Sequence, residues 1–293
     1  MEPPRVHVIT LPSSPLFWVR ATALVFSCVA FIVTRFAFLP PGDTIDWCLV
    51  SWMFSFIFTL SILLVELSRI KNQNPLFWSN VTITFASYAA LFWLVTSITL
   101  PVLFIMNQMY SKNPNYCITA TVFCYLATVA YLGEVILSKA MHKKEKGYMT
   151  TVLGMMKVFQ TFVACVIIII VSIPGSYNGC VPLQWCLAVY CICFILSMVV
   201  VVMCMWKKAT PTCACLFYQS AYELLAVALY VTATILWPLY QFHKQHKSKG
   251  SESLNEIAVA VLTDLNLLIY TADLAYSIRL LKKAYLREND ITQ

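Results

Sequence analysis

Eight runs of about 20 apolar residues, joined by short polar links, make up most of this 293-residue chain. A run of that length crosses the roughly 30 Å hydrocarbon core of a bilayer as an α-helix. Lipid offers no partner for a backbone N–H or C=O, so only helices and closed barrels can cross it. Barrel strands are about half as long and alternate in polarity, which these runs do not. The chain is therefore expected to be an all-α integral membrane protein with eight transmembrane helices. The spans are expected at roughly 17–39, 47–67, 81–106, 117–138, 150–173, 183–205, 218–239 and 257–279. Composition agrees, since 60% of residues are hydrophobic and 11% charged, against about 45–50% apolar in soluble domains. The first run is read as a retained span, because Pro3, Pro4, Pro12 and Pro15 crowd its approach. Glu2 excludes N-myristoylation, and the terminal Asp290-Ile291-Thr292-Gln293 carries no cysteine for prenylation.

The chain starts over at the fifth run. Arg20 stands eight residues before Cys28-Val29, as Lys157 stands eight before Cys165-Val166. Trp47-Cys48-Leu49 recurs as Trp185-Cys186-Leu187, Ile98 and Pro101 as Ile235 and Pro238, and Tyr131, Glu134 and Ser138 as Tyr270, Asp273 and Ser277. The separation stays at 137 to 139 residues throughout, which predicts two tandem four-helix units. Each crosses an even number of times, so both insert the same way up. The expected divisions are a tail over 1–16, units over 17–142 and 143–283, and a tail over 284–293.

Basic residues near span ends are held on the cytosolic side. They gather at the N-terminus, in the links after even-numbered spans (Arg69, Lys71; Lys139, Lys143, Lys144, Lys146; Lys207, Lys208) and beyond the eighth span. Both termini are thus expected in the cytosol. The sequon Asn80-Val81-Thr82 falls on that side too and is expected to stay unglycosylated. The run from Lys139 to Lys146 suits anionic inner-leaflet lipid, and it equally serves as the charge that sets orientation.

Charges inside spans need a partner, a route to the headgroups, or a job. Arg20 and Lys157 lie near the start of their units, and Glu134 and Asp273 lie about a turn inside the same end. Two readings follow: Arg20 pairs with Glu134 and Lys157 with Asp273, joining first helix to last, or both bases snorkel to the headgroups. Glu66 and Glu223 lie close to span ends, where Glu66 can meet Arg69 or Lys71. Asp264 and Asn266 in the eighth span form a candidate polar site for an ion or small solute, and the plainer reading of Asp264 is a hydrated residue bonded to a neighbour.

The 12 cysteines show no zinc-ligand spacing, and His7, His142, His243 and His246 are scattered, so no metal or other cofactor is expected. Cys117 and Cys180 are candidates for a disulfide on the non-cytosolic face. Cys213 and Cys215, beside Lys207 and Lys208, suit reversible palmitoylation. Most other cysteines read as small apolar fillers. Ala86, Ala89 and Ala90 make a small-residue patch suited to helix contacts within the chain or in a homo-oligomer. No phosphate loop, His-Glu-x-x-His or clustered Ser, His and acid set is present, so neither enzymatic activity nor a nucleic-acid partner is expected.

Several motifs resemble the myeloid-associated differentiation marker family. They include Gly147-Tyr148-Met149, Phe162-Val163-Ala164-Cys165, Ala188-Val189-Tyr190, Val65-Glu66-Leu67, Ile83-Thr84-Phe85-Ala86 and the more specific Trp237-Pro238-Leu239-Tyr240-Gln241-Phe242. The resemblance runs from about residue 20 to 280. It implies two MARVEL-type four-span units, cytosolic termini, residence in cholesterol-rich domains of the plasma membrane, and contacts there with lipid and partner helices. It also implies a role in membrane apposition, trafficking or lateral organisation. The link from Gln241 to Glu256 lacks the cysteines expected of relatives, so a disulfide there is not available to this chain.

Overall fold

The computed structural model describes residues 14–37, 43–68, 75–106, 114–141, 147–172, 181–206, 213–245 and 252–292. They form α1 (Pro15–Ala37), α2 (Asp43–Leu67), α3 (Pro75–Met106), α4 (Pro114–Met141), α5 (Val152–Ser172), α6 (Val181–Cys204), α7 (Cys213–Gln245) and α8 (Glu252–Thr292). A short 3-10 turn, Tyr148–Thr150, leads into α5. All eight α-helices are long and apolar enough to cross a membrane. Proline opens α1, α3 and α4, where its fixed φ suits the first turn and its missing N–H costs nothing. The β-branched run Val166 to Val171 in α5 would favour a strand in water, but the need to satisfy the backbone within lipid makes it helical.

Buried hydroxyls in the spans turn back on their own helices. Thr84 donates to the Asn80 carbonyl, Ser87 to that of Ile83 and Thr263 to that of Val259, each at 2.7 Å. Such back-bonding lets a hydroxyl sit in an apolar interior with its donor satisfied. The helices also run past the expected spans. α3 begins at Pro75, so the sequon lies inside it and Asn80 is wholly buried. At about 1.5 Å per residue, the 41 residues of α8 reach about 60 Å, twice the hydrocarbon thickness. It is therefore longer than a single crossing needs.

The chain divides into two compact units, Met1–Glu145 and Lys146–Gln293. In the first, α1 packs on α2, α2 on α3, α3 on α4 and α4 back on α1. In the second, α5 to α8 close the same ring. First and last helices are neighbours in both, which brings residues more than 110 apart in sequence into contact.

The repeat extends to individual contacts. Trp52 stacks on Trp93 at 5.0 Å and Trp93 on Tyr131 at 6.4 Å. Their counterparts Tyr190, Tyr230 and Tyr270 occupy the same places at 5.9 and 5.2 Å, with rings tilted by 46° and 35° rather than stacked. Thr59 meets the Tyr131 hydroxyl at 2.9 Å, and its counterpart Ser197 meets that of Tyr270 at 2.6 Å. One aromatic ladder thus threads the second, third and fourth helices of each bundle.

The lead-in turn docks into the near end of the second bundle, with Tyr148 and Met149 fully buried. Gly154 permits this, because a Cβ there would lie 2.6 Å from the Met149 Cα and the Tyr148 carbonyl oxygen. Both are backbone atoms and cannot swing away. Gly154→Ala should lower stability by about 1–3 kcal/mol through this overlap. Gly133→Ala, where a Cβ meets open space, should be neutral or stabilising by up to about 1 kcal/mol. Unfolding of both variants in mixed micelles checks the contrast.

Candidate functional site

Each bundle holds its buried charges near the end where its first helix starts. In the first unit Arg20 is 1% exposed and turns into the bundle rather than outward. Its Nε donates to Glu134 Oε1 at 2.6 Å, and its Nη1 donates to Glu66 Oε1. Glu134 is as buried as Arg20, whereas the Glu66 side chain is 24% exposed. The guanidinium fork suits this task, since it presents donors in two directions and keeps its charge. Arg69 and Lys71, the expected partners of Glu66, lie outside the described residues.

In the second unit Lys157 donates from Nζ to Glu223 Oε1 and to Asp273 Oδ2, both at 2.7 Å. All three side chains are fully buried, and the ammonium also sits 5.2 Å from the Tyr222 ring centre. Gln160 Nε2 donates to Asp273 Oδ2 at 2.7 Å, and Gln219 Nε2 donates to Glu223 Oε1 at 2.9 Å. The Tyr148 hydroxyl caps this chain by donating to Gln219 Oε1 at 2.7 Å. Burial pushes the Tyr148 phenol above its ordinary value, so it remains a donor.

Comparison of the units shows what moved. The first base and last acid keep their places, but the second acid does not. The place of Glu66 on the second helix is taken by Cys204, and the place of Glu223 on the third helix belongs to Ala86 in the first unit. The repeat therefore gives no sign of either second acid. What marks them is depth, because each lies close to the same bundle end as its base. Gln160 and Gln219 were likewise invisible to the repeat, yet they lie three and four residues from Lys157 and Glu223 on the same helix faces.

The inward stripe of α8 is polar over most of its length. Thr263, Asn266, Tyr270, Asp273 and Ser277 follow one another at helical spacing, all fully buried. Asn266 Nδ2 donates to the Tyr230 hydroxyl at 2.7 Å and to the Gln160 carbonyl at 3.4 Å. The corresponding α4 stripe is Cys124, Ala127, Tyr131, Glu134 and Ser138, with polarity confined to one half. Asp264 does not join Asn266 in a common site. It is exposed, on the opposite face of α8, while Asn266 points inward.

Cys117 is buried on α4, and Cys180 lies outside the described residues. Cys213 and Cys215 fall in the first turn of α7, and their side chains also lie outside them, as do Lys143, Lys144 and Lys146. Among the described residues no cluster of three His, Cys, Asp or Glu side chains is arranged to hold a metal ion.

This architecture is that of a tandem MARVEL membrane protein. The MARVEL model, described as a membrane-associating domain, matches twice, over residues 12–137 and 148–276. The chain is 39% identical over 287 residues to the myeloid-associated differentiation marker homolog of Xenopus laevis, covering 92% of this chain and 93% of that one. It is 38% identical over 286 residues to the myeloid-associated differentiation marker of Homo sapiens, covering 92% and 88%. To the myeloid-associated differentiation marker-like protein 2 of Rattus norvegicus it is 32% identical over 298 residues, covering 96% and 97%. The chain belongs to the myeloid-associated differentiation marker family. No solved structure matches it.

Removing one partner strands the other charge in the interior. Arg20→Met, which leaves the buried Glu134 without its base, should therefore destabilise the protein by about 3–5 kcal/mol. The double variant Arg20→Met with Glu134→Gln should recover much of that, since the quarter-exposed Glu66 can turn to water. Unfolding of Arg20→Met, Glu134→Gln and the double variant, read as a coupling energy, checks this.

Proposed function

We propose that the protein is a non-enzymatic organiser of membrane domains, acting in cholesterol-rich membrane through lipid and partner-helix contacts in trafficking or apposition. The observation that carries this reading is the division of polarity. The charged and amide side chains that are buried within the spans are committed to contacts inside the bundles, while the outward faces, apart from Asp264 and polar residues near the span ends, are aliphatic and aromatic. Val25, Ile32, Ile57, Ile136, Ile195 and Leu268 all lie exposed on them. Such surfaces sort by bilayer thickness and lateral order. The distribution of basic residues supports cytosolic termini, and on that side the basic links and acylated Cys213 and Cys215 would add affinity for the anionic inner leaflet. Plasma-membrane residence and homo-oligomers through small-residue faces belong to the same reading.

Phase-separating plasma-membrane vesicles carrying a fluorescent fusion of the full chain provide the test. The protein should enrich in the ordered phase and lose that enrichment when cholesterol is extracted. Confinement to the disordered phase, unchanged by cholesterol, would contradict the proposal. Antibody access to a C-terminal tag only after permeabilisation is the expected topology result.

A further inference from the structure

We infer that the Lys157–Glu223–Asp273 cluster is a proton-binding site, holding one proton on its carboxyl pair in addition to those of the ammonium. The first ground is charge. Two carboxyls share one ammonium at 2.7 Å each, and none of the three side chains reaches solvent. Fully ionised, the cluster would bury one uncompensated negative charge in a low-dielectric interior. The described titratable groups around it are Tyr148 on the lead-in turn, Cys193 and Cys204 on α6, Tyr222 and Tyr230 on α7, and Tyr270 on α8. None of these is a base that would balance it.

The second ground is the placing of hydrogen-bond donors. Asp273 Oδ2 receives both Lys157 Nζ and Gln160 Nε2, and Glu223 Oε1 receives both Lys157 Nζ and Gln219 Nε2. The other oxygen of each carboxyl, Asp273 Oδ1 and Glu223 Oε2, is buried without a donor, as are Gln160 Oε1 and Asn266 Oδ1. Every one of these four atoms is an acceptor. A proton taken from water onto Oδ1 or Oε2 neutralises the surplus charge and turns that oxygen into a donor, with no electron transferred and no bond broken in the protein. It also requires no cavity.

The first unit has no such need. Its second acid, Glu66, stands at the bundle edge with 24% of its side chain exposed, and neither Glu66 nor Glu134 leaves a buried oxygen without a partner. Transfer of the second acid from the second helix to the third has thus made one of two homologous clusters a proton site.

Infrared difference spectroscopy on the full-length protein in phosphatidylcholine–cholesterol nanodiscs tests this. Ordinary carboxyls ionise near pH 4, so between about pH 6 and 8 one protonated carboxyl per chain is expected, with a D2O-sensitive band. It should vanish in Glu223→Gln and in Asp273→Asn, each of which leaves one acid for one ammonium. Replacing sodium with choline should leave it unchanged. A wild-type protein with no protonated carboxyl in that range would overturn the inference, and this needs no variant to fold. So would a band that persists in both variants or responds to sodium. Stability gives a second readout. The folded state holds a proton that the unfolded chain releases, so wild-type stability should fall as pH rises through its release. Each single variant should show no such loss over the same range, and equal slopes in all three proteins would contradict the assignment.

Discussion

A positive charge placed inside a lipid-embedded bundle must be met by carboxylates within the bundle, and both halves of this protein are organised around that requirement. Arg20 and Lys157 lie on the first helix of their units, and Glu134 and Asp273 on the last. Contact between them needs the last helix to return beside the first, so the ring of four helices and the charge cluster imply each other. A buried pair adds little to net stability compared with a well-packed apolar pair, but it penalises arrangements that separate it. Its value here is register: one depth and one neighbour for helices more than 110 residues apart.

The two units share a plan and differ in chemistry. The aromatic ladder is preserved in position, with Trp52 and Trp93 replaced by Tyr190 and Tyr230. The exchange adds hydroxyls, and those hydroxyls hold Thr263 and Asn266 on α8. The first unit has Cys124 and Ala127 in their places. The arginine unit keeps its second acid at the edge, and the lysine unit buries it beneath the turn at Tyr148. The first cluster therefore reads as a fixed clasp, and the second as a polar core extending well into the bundle.

The number of spans, the two-unit plan and the equivalence of Arg20 with Lys157 were legible because length, apolarity and a steady offset of 137 to 139 residues survive in one dimension. The second acids were not, since a contact partner that changes helix between repeats leaves no periodic trace. The contact of Glu66 with Arg20 was not foreseen, since at a span end the nearby Arg69 and Lys71 are the only partners that sequence proximity offers. Asp264 and Asn266 looked like one site because they are two residues apart, although two residues on a helix turn about 200° and face opposite ways. The third span was expected from residue 81, but α3 starts at Pro75 and encloses Asn80.

With its buried charges engaged inside, each bundle offers lipid a largely apolar outer face, which is consistent with the membrane-associating character of the MARVEL family. Everything distinctive about the second unit depends on Lys157 being held inside rather than reaching for the headgroups. The most direct measurement is the dipolar coupling between 15Nζ of Lys157 and the 13C-labelled carboxyls of Glu223 and Asp273, by solid-state NMR in bilayers. Couplings to both carboxyls, as strong as the 2.7 Å contacts require, are the expected result. An ammonium with neither coupling, exchanging freely with interfacial water, would contradict it.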